Sequence, residues 1–389
     1  MRVHLIDTLE GFLGLKDEWN RLVECSRMSS VFLVHEWLEA WWKGYAGEAD
    51  RMQIACVRDA QTGALVGILP AYVHGKGSLL RPRHLGFMGD ALGATQLDCL
   101  VDPAHEAEAL EALRTWLMSS RREWDVFAFR RMHEDSPFLS ILAELGSCGL
   151  CGRFTVGESV ACPEVVLSPT WEQFLQQMSS RERSRIRRWR RELESAGAVG
   201  VEHILRCEDL PVALADALRM FERGMSTRYS HPYEVSARYA SMLRSASEAF
   251  LARGQLRFSF LTVDGQRIAF IWQARHRDKM IGYKTAYDES WAPHHVGNVM
   301  FGYAFENAID EGCSAFNLGV GVSAYKQRFT KNIAQMHEVT CYGRSFAGRL
   351  ASGRDAVRRL LVSRIRRYAP DAVIEKMERT SGLASLKRL

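Results

Sequence analysis

The sequence predicts an α/β (α+β) chain of two domains in tandem, each a mixed, mostly antiparallel sheet flanked by helices. Three observations carry this. The chain has 389 residues, more than a single hydrophobic core usually organises. Two strand-rich stretches follow the same order of hairpin, strand, helix, strand. A block of helical patterns separates them, with Pro163 and Pro169 at the join.

Taken in order, "HEWLEAWWKGYAG" reads as a short helix. Its Trp37, Trp41 and Trp42 build core, because aromatics at this spacing usually pack. "RMQIACVRD" and "ALVGILPAYVHG" are strands around the turn Ala60-Gln61-Thr62-Gly63, followed by the strands "RPRHLGFMG" and "TQLDCLVD". "EAEALEALRTWLMSS" is helical, with Leu110, Leu113, Trp116 and Leu117 on one face, and "DVFAFRRM" closes the half as a strand. Helices are expected over 170–195, 210–224 and 236–252. In the second half "LRFSFLTVD" and "RIAFIWQARH" flank Asp264-Gly265, a strong hairpin signal. "KMIGYKTAYD", a loop, the helical "NVMFGYAFENAIDEG" and the strand "AFNLGVG" complete it. The expected domains are residues 1–165 and 166–342, with a tail over 343–389.

Composition narrows the class. Hydrophobic residues make up 47% and charged residues 25%, ordinary values for a globular chain. No stretch approaches the ~20 apolar residues of a membrane span. The start, "MRVHLIDTLEGFLGLKDEW", carries acidic residues and no long apolar core, so no secretory leader is expected. Nine scattered cysteines suit a reducing cytosol better than a disulfide framework. Cys148 and Cys151 form a C-x-x-C with no second pair at zinc spacing, so no metal is expected. The net charge of +5 is uneven: residues 343–389 hold twelve Lys and Arg against four Asp and Glu, which leaves the rest slightly acidic.

The candidate chemistry lies late in the chain. In "DESWAPHHVGNVMFGYAFENA" a loop runs into a helix, a junction that offers free backbone N–H groups and a favourable dipole to a phosphate. His294, His295, Gly297 and Asn298 precede the helix. Gly297 lets a ligand approach the backbone, and Asn298 is expected as the N-cap. The corresponding "DPAHEAEALEAL" has no glycine, and Glu106, Glu108 and Glu111 would repel an anion. Only the second half should therefore hold a pyrophosphate. Further on, "FNLGVGVSAYKQRFT" ends a strand on Gly319 and Gly321, and Tyr325 and Lys326 are expected on the rim of the cleft that follows. A phenol there can protonate a leaving group, and an ammonium can hold an anion.

The ordered set "VFLVHEWLEAWW", "LVGILPAY", "MSSRERSRIRRWRREL", "GQRIAF", "AYDESWAPHHVGNVM" and "GVGVSAYKQRF" resembles the CelD-type acetyltransferase domain family, over most of the chain from Val31 to Phe329. That family belongs to the GNAT N-acyltransferases and shares a tandem-GNAT plan with Fem-type transferases. Where the family commonly has an acidic residue before the Tyr-Lys pair, this chain has Ser323. Where it commonly has Ser-Pro-Gly, this chain has His295-Val296-Gly297.

The resemblance implies transfer of an acyl group from acyl-CoA, as co-substrate, to an amine. Residues 166–342 would be catalytic and residues 1–165 non-catalytic. The pantetheine arm would lie along the strand 281–286, with Ala286, Tyr287, His295, Gly297 and Asn298 around the donor. Tyr325 and Lys326 would serve the chemistry, and Asp288 and His231 are candidate bases. The acceptor would be an amino-sugar of a polysaccharide or cell-envelope precursor, or a long-chain base giving a ceramide-like lipid. A Fem-type enzyme using aminoacyl-tRNA and a non-catalytic scaffold are the rival readings, and nucleic acid is not the expected partner.

Two basic segments remain. "SRERSRIRRWRRELES" holds seven arginines between Arg181 and Arg191, with Ile186, Trp189 and Leu193 on one face. It reads either as a solvated helix or as a docking surface for phosphate. In the tail, Val357, Leu360, Leu361, Ile365 and Tyr368 form a stripe beside Arg358, Arg359, Arg366 and Arg367. This is either a helix packed on the body or an element that lies on an anionic membrane. The expected location is the cytoplasm, peripheral to the inner face of the membrane.

Overall fold

The computed structural model describes residues 1–78, 81–90, 93–146, 151–229 and 232–368. The chain divides into two compact units, one of residues 1–160 with 335–389 and one of residues 161–334.

The first unit contains β1 (Arg2–Ile6), α1 (Leu9–Leu13), α2 (Lys16–Cys25), α3 (His35–Tyr45), β2 (Arg51–Met52), β3 (Ile54–Arg58), β4 (Leu65–Leu69), β5 (Ala71–His74), β6 (His84–Phe87) and β7 (Leu100–Val101). It continues with α4 (Glu106–Ser119), β8 (Val126–His133), α5 (Pro137–Leu145) and the first part of β9 (Cys151–Val166). Its strands split between two sheets. β1, β3, β4 and β7 form one, while β2, β5, β6 and β8 lie in the other. The split follows from Pro70, which stands between β4 and β5. Proline has no N–H for a ladder, so the strand breaks there and the chain changes sheet. Of the expected strand "TQLDCLVD" only Leu100 and Val101 are paired. Trp37 and Trp41 are buried as expected, and half-buried Trp42 packs edge-on to Tyr72.

The second unit runs through α6 (Trp171–Gln177), α7 (Ser180–Glu194), β10 (Val199–His203), α8 (Leu210–Tyr229), α9 (Ala237–Ala252), β11 (Leu256–Val263), β12 (Gln266–His276), β13 (Lys279–Tyr287), α10 (Val296–Asp310) and β14 (Ala315–Asn317). The sheet order is β10-β11-β12-β13-β14, with β14 also pairing to the end of β9. The helix expected over 170–195 is interrupted. Ser179 caps α7 by accepting from the Glu182 N–H, an S-x-x-E start that ends α6 two residues earlier. α8 continues through Gly224 to Tyr229, beyond its expected end.

The two units share a motif. β6 and β8 are parallel and joined through α4, as β13 and β14 are parallel and joined through α10. In each case an antiparallel partner, β5 or β12, flanks the first strand. α10 seals its unit by burying Phe301 and Phe305 with Phe316 of β14. Each such side chain contributes about 1.5–3 kcal/mol by leaving water.

The chain closes with β15 (Ile333–Gly343) and α11 (Phe346–Tyr368). Residues 336–342 of β15 pair with β8 in the first unit. Cys25, Cys56, Cys99, Cys162, Cys207 and Cys313 are free thiols, as expected, whereas Cys341 is disulfide-bonded, against the expectation. Cys148 lies outside the described residues. Among the described residues no helix is long and apolar enough to cross a membrane.

Candidate active site

The site begins where two parallel strands part. β13 and β14 are in register from Lys279–Ala315 to Ile281–Asn317 and no further. Glycines let the main chains lie close at the point where the pairing ends. A Cβ on Gly282 would lie 3.1 Å from the Asn317 carbonyl, and one on Gly319 would lie 2.9 Å from the Gly282 carbonyl. Gly319 also has φ +73°, a conformation that suits glycine. A register shift between Trp272 and Gln273 leaves Tyr283 without an opposite residue on β12, a bulge that bends β13 at the same point. Beyond it Lys284, Thr285, Ala286 and Tyr287 pair with β12 on one side only. Their other edge opens on a cleft of about 480 Å³.

α10 starts at the same cleft. Its N-cap is His295, in the left-handed region at φ 54°, and no side chain caps the helix. The expectation that Asn298 would cap is corrected: Asn298 lies in the first turn, and its N–H bonds to the His295 carbonyl at 2.9 Å. The N–H groups of Val296 and Gly297 have no bonding partner among the described residues. The helix therefore presents free donors and the positive end of its dipole. Arg328 sits beside them. Its guanidinium donates to Asn298 Oδ1 at 3.4 Å and lies 5.7 Å from the Trp189 ring, which in turn packs 4.9 Å from the His295 ring. Ala286, Tyr287, His295, Gly297 and Asn298, all expected at the donor, line this one cleft.

Tyr325 lines it too, half-buried, with its ring 5.6 Å from that of Phe301. Burial raises its phenol above the ordinary value. Lys326 departs from its expected place on the rim. It is 6% exposed, and its ammonium donates to the carbonyls of Gly319 at 3.1 Å and Val320 at 2.8 Å. It thus clamps the glycine turn from inside, and burial lowers its pKa from 10.5 to about 8. Asp288 is turned to a local task. Its carboxylate accepts from the Ser290 N–H at 3.0 Å and the Ser290 hydroxyl at 2.7 Å, capping the short 3-10 helix Glu289–His294, and these bonds hold its pKa low. His231 lies outside the described residues.

Sequence reasoning missed the opposite wall. Phe221, Gly224, Met225 and Arg228 of α8 face the cleft. Their spacing of i, i+3, i+4, i+7 is one helical face, and the mixture of glycine and arginine on it was the available signal. Glu289 also faces the cleft, one residue past Asp288; a Cβ on Gly224 would stand 3.8 Å from its Oε1.

Neighbours take up much of the arginine helix. Arg185 pairs with Glu182, Arg187 with Glu172, Arg188 with Glu192, and Arg190 with Glu306 while lying over the Tyr303 ring at 4.2 Å. Arg183 donates to the carbonyls of Gln176 and Met178.

A model of the acetyltransferase (GNAT) domain matches residues 180–327, inside the second unit. The fold of the chain is similar to that of FemX, at 11% identity and a TM-score of 0.60, over 87% of this chain and 97% of that one. It is similar to the C-terminal domain of a candidate lysylphosphatidylglycerol synthetase from Agrobacterium fabrum, at 12% identity and a TM-score of 0.53, over 89% and 96%. L-PGS from Bacillus licheniformis gives 12% identity and a TM-score of 0.52, over 86% and 96%. At these identities the likeness concerns the fold alone. No characterised protein matches the chain by sequence.

Proposed function

Because residues 180–327 match a GNAT acetyltransferase domain within a Fem-like tandem fold, we propose that the second unit is an acyl-CoA-dependent N-acyltransferase. One observation carries this reading: the unpaired edge of β13 and the uncapped start of α10 line a single cleft. An extended pantetheine arm, with its own amides, suits an open strand edge. A pyrophosphate suits the free N–H groups of Val296 and Gly297 with Arg328 alongside. When bound, the thioester supplies the activated acyl group.

The residues of the chain supply the proton transfers. Glu289 takes the proton that the acceptor amine sheds as its nitrogen bonds to the acyl carbon. Tyr325 gives the proton that the departing sulfur takes up as the carbon–sulfur bond breaks. The phenol, raised by burial further above its ordinary value, is protonated at neutral pH, as a donor must be. Lys326 acts as a positioning residue, fixing the carbonyls of the turn that leads to Tyr325. Asp288 holds the turn that presents Glu289. The acceptor is an amine, either on a sugar of a polysaccharide or envelope precursor or on a long-chain base.

Calorimetric titration of acetyl-CoA into wild type and Gly297→Glu tests the donor site. The variant carboxylate competes with a phosphate for the helix dipole and should weaken binding on the order of tenfold. Equal affinities would remove the site from consideration. Activity that survives without acyl-CoA and is abolished by RNase would identify an RNA-carried donor instead.

A further inference from the structure

The tail helix α11 carries a feature that the cleft does not use. It is fastened to the first unit by small residues. Ala347 and Ala351 are buried, the latter against Val126 and Tyr342. A Cβ on Gly348 would lie 2.5 Å from the Gly343 carbonyl and 2.7 Å from the Asp125 carbonyl, so the helix backbone rests directly on that turn. Asp355 accepts from the Tyr342 hydroxyl at 2.6 Å on the same side.

The large apolar residues face away. Phe346 is 69% exposed, Leu350 37%, Val357 57%, Leu360 63% and Leu361 55%. At 3.6 residues per turn these five fall within an arc of about 100°, and Ala347, Gly348, Ala351 and Asp355 occupy the opposite side. Arg349 and Arg354 border the exposed arc, one on each edge. Side chains beyond Leu361, including those of Ile365 and Tyr368, lie outside the described residues. The two readings of the tail therefore combine: the helix does pack on the body, but through its small face, and the apolar stripe is left outward.

We propose that the outward face of α11 is a docking surface for an anionic lipid bilayer. The occupant follows from charge. The segment 343–389 carries twelve Lys and Arg against four Asp and Glu, whereas the rest of the chain is slightly acidic. An apolar stripe edged by arginines complements acyl chains beneath anionic headgroups, with the guanidinium stems reaching back to the headgroup level. A second copy of the helix would bring arginines against arginines. The inference rests on α11 alone and is independent of the chemistry in the cleft.

The test is co-sedimentation of the full chain with vesicles of phosphatidylglycerol mixed with phosphatidylcholine, against phosphatidylcholine alone. Binding should favour the mixed vesicles strongly and fall only in part with added salt, because salt screens charge and leaves apolar burial intact. Arg349→Gln with Arg354→Gln should weaken binding on the order of fivefold per arginine. Val357→Ser with Leu361→Ser should weaken it at least about tenfold, with no loss of thermal stability, since these side chains already face water. Truncation before Gly343 would not separate the two roles, because it also removes the packing of Ala351. Wild type that ignores the mixed vesicles overturns the proposal. So does a dimer in sedimentation velocity that Val357→Ser with Leu361→Ser dissociates.

Discussion

Replacing Lys326 by methionine probes the clamp behind the parted strands. The wild-type ammonium is buried and has a pKa of about 8 in the fold against 10.5 for an ordinary lysine. Between those values the unfolded chain binds more protons than the folded one. Stability should therefore rise with pH across the window from about 8 to 10.5, and this contribution should be flat and at its least favourable below the window. At 1.36 kcal/mol per pH unit the rise amounts to roughly 3 kcal/mol. Methionine removes the titration. It also deprives the Gly319 and Val320 carbonyls of their donor, at about 1–3 kcal/mol for a buried acceptor, while relieving the buried charge. At neutral pH the two effects oppose each other and the variant should lie close to wild type. Near pH 10 only the loss remains, and the variant should be weaker by about 1–3 kcal/mol. Urea unfolding of both proteins at steps across the window measures the difference, and titrating groups other than Cys162, which interacts with Lys326, are common to the two and cancel. A difference that stays level with pH, or grows toward acid, refutes the reasoning.

Tyr325→Phe keeps the ring packing on Phe301 and removes only the hydroxyl. Turnover should fall about 10²- to 10³-fold with the urea midpoint unchanged, and wild-type turnover would exclude the phenol as proton donor. Gly319→Ala places a methyl 2.9 Å from the Gly282 carbonyl on a backbone with φ +73°. It should cost about 2 kcal/mol or more and weaken acetyl-CoA binding. At Gly321, also at positive φ but with open space around its Cβ, the same change should cost only about 1 kcal/mol; equal losses at both glycines would show that close approach does not matter.

The fold was readable because its signals are local. The Asp264-Gly265 turn, the apolar periods of α4 and α10, and the glycines at 319 and 321 each declare their structure within a few residues. One wall of the cleft came with them, since Ala286, Tyr287, His295, Gly297 and Asn298 sit on a strand end and a helix start close in sequence. Side-chain direction was less legible. Tyr325 and Lys326 are neighbours, yet one faces the cleft and the other turns under it, because the short 3-10 helix Lys326–Arg328 begins between them. Asp288 and Glu289 divide in the same way, since a carboxylate one residue before a tight turn bonds to that turn first. The α8 wall was out of reach because it lies some sixty residues upstream and is brought in only by tertiary packing. The cap at His295 was missed because a non-glycine residue at positive φ is uncommon and asparagine three residues on looked the better candidate.

The notch between Gly282 and Gly319 also bears on how this cleft can be redesigned. There main chain lies on main chain where β13 and β14 part, with no rotamer to change and no side chain to trim, and any residue larger than glycine crowds it. The α8 side is the reverse: Phe221, Met225 and Arg228 project from a regular helix whose backbone is indifferent to what they are. Changes in the size and polarity of what enters should thus be tolerated on α8 more readily than at the glycines, so a library confined to those three positions would sample specificity while leaving the proposed donor seat intact.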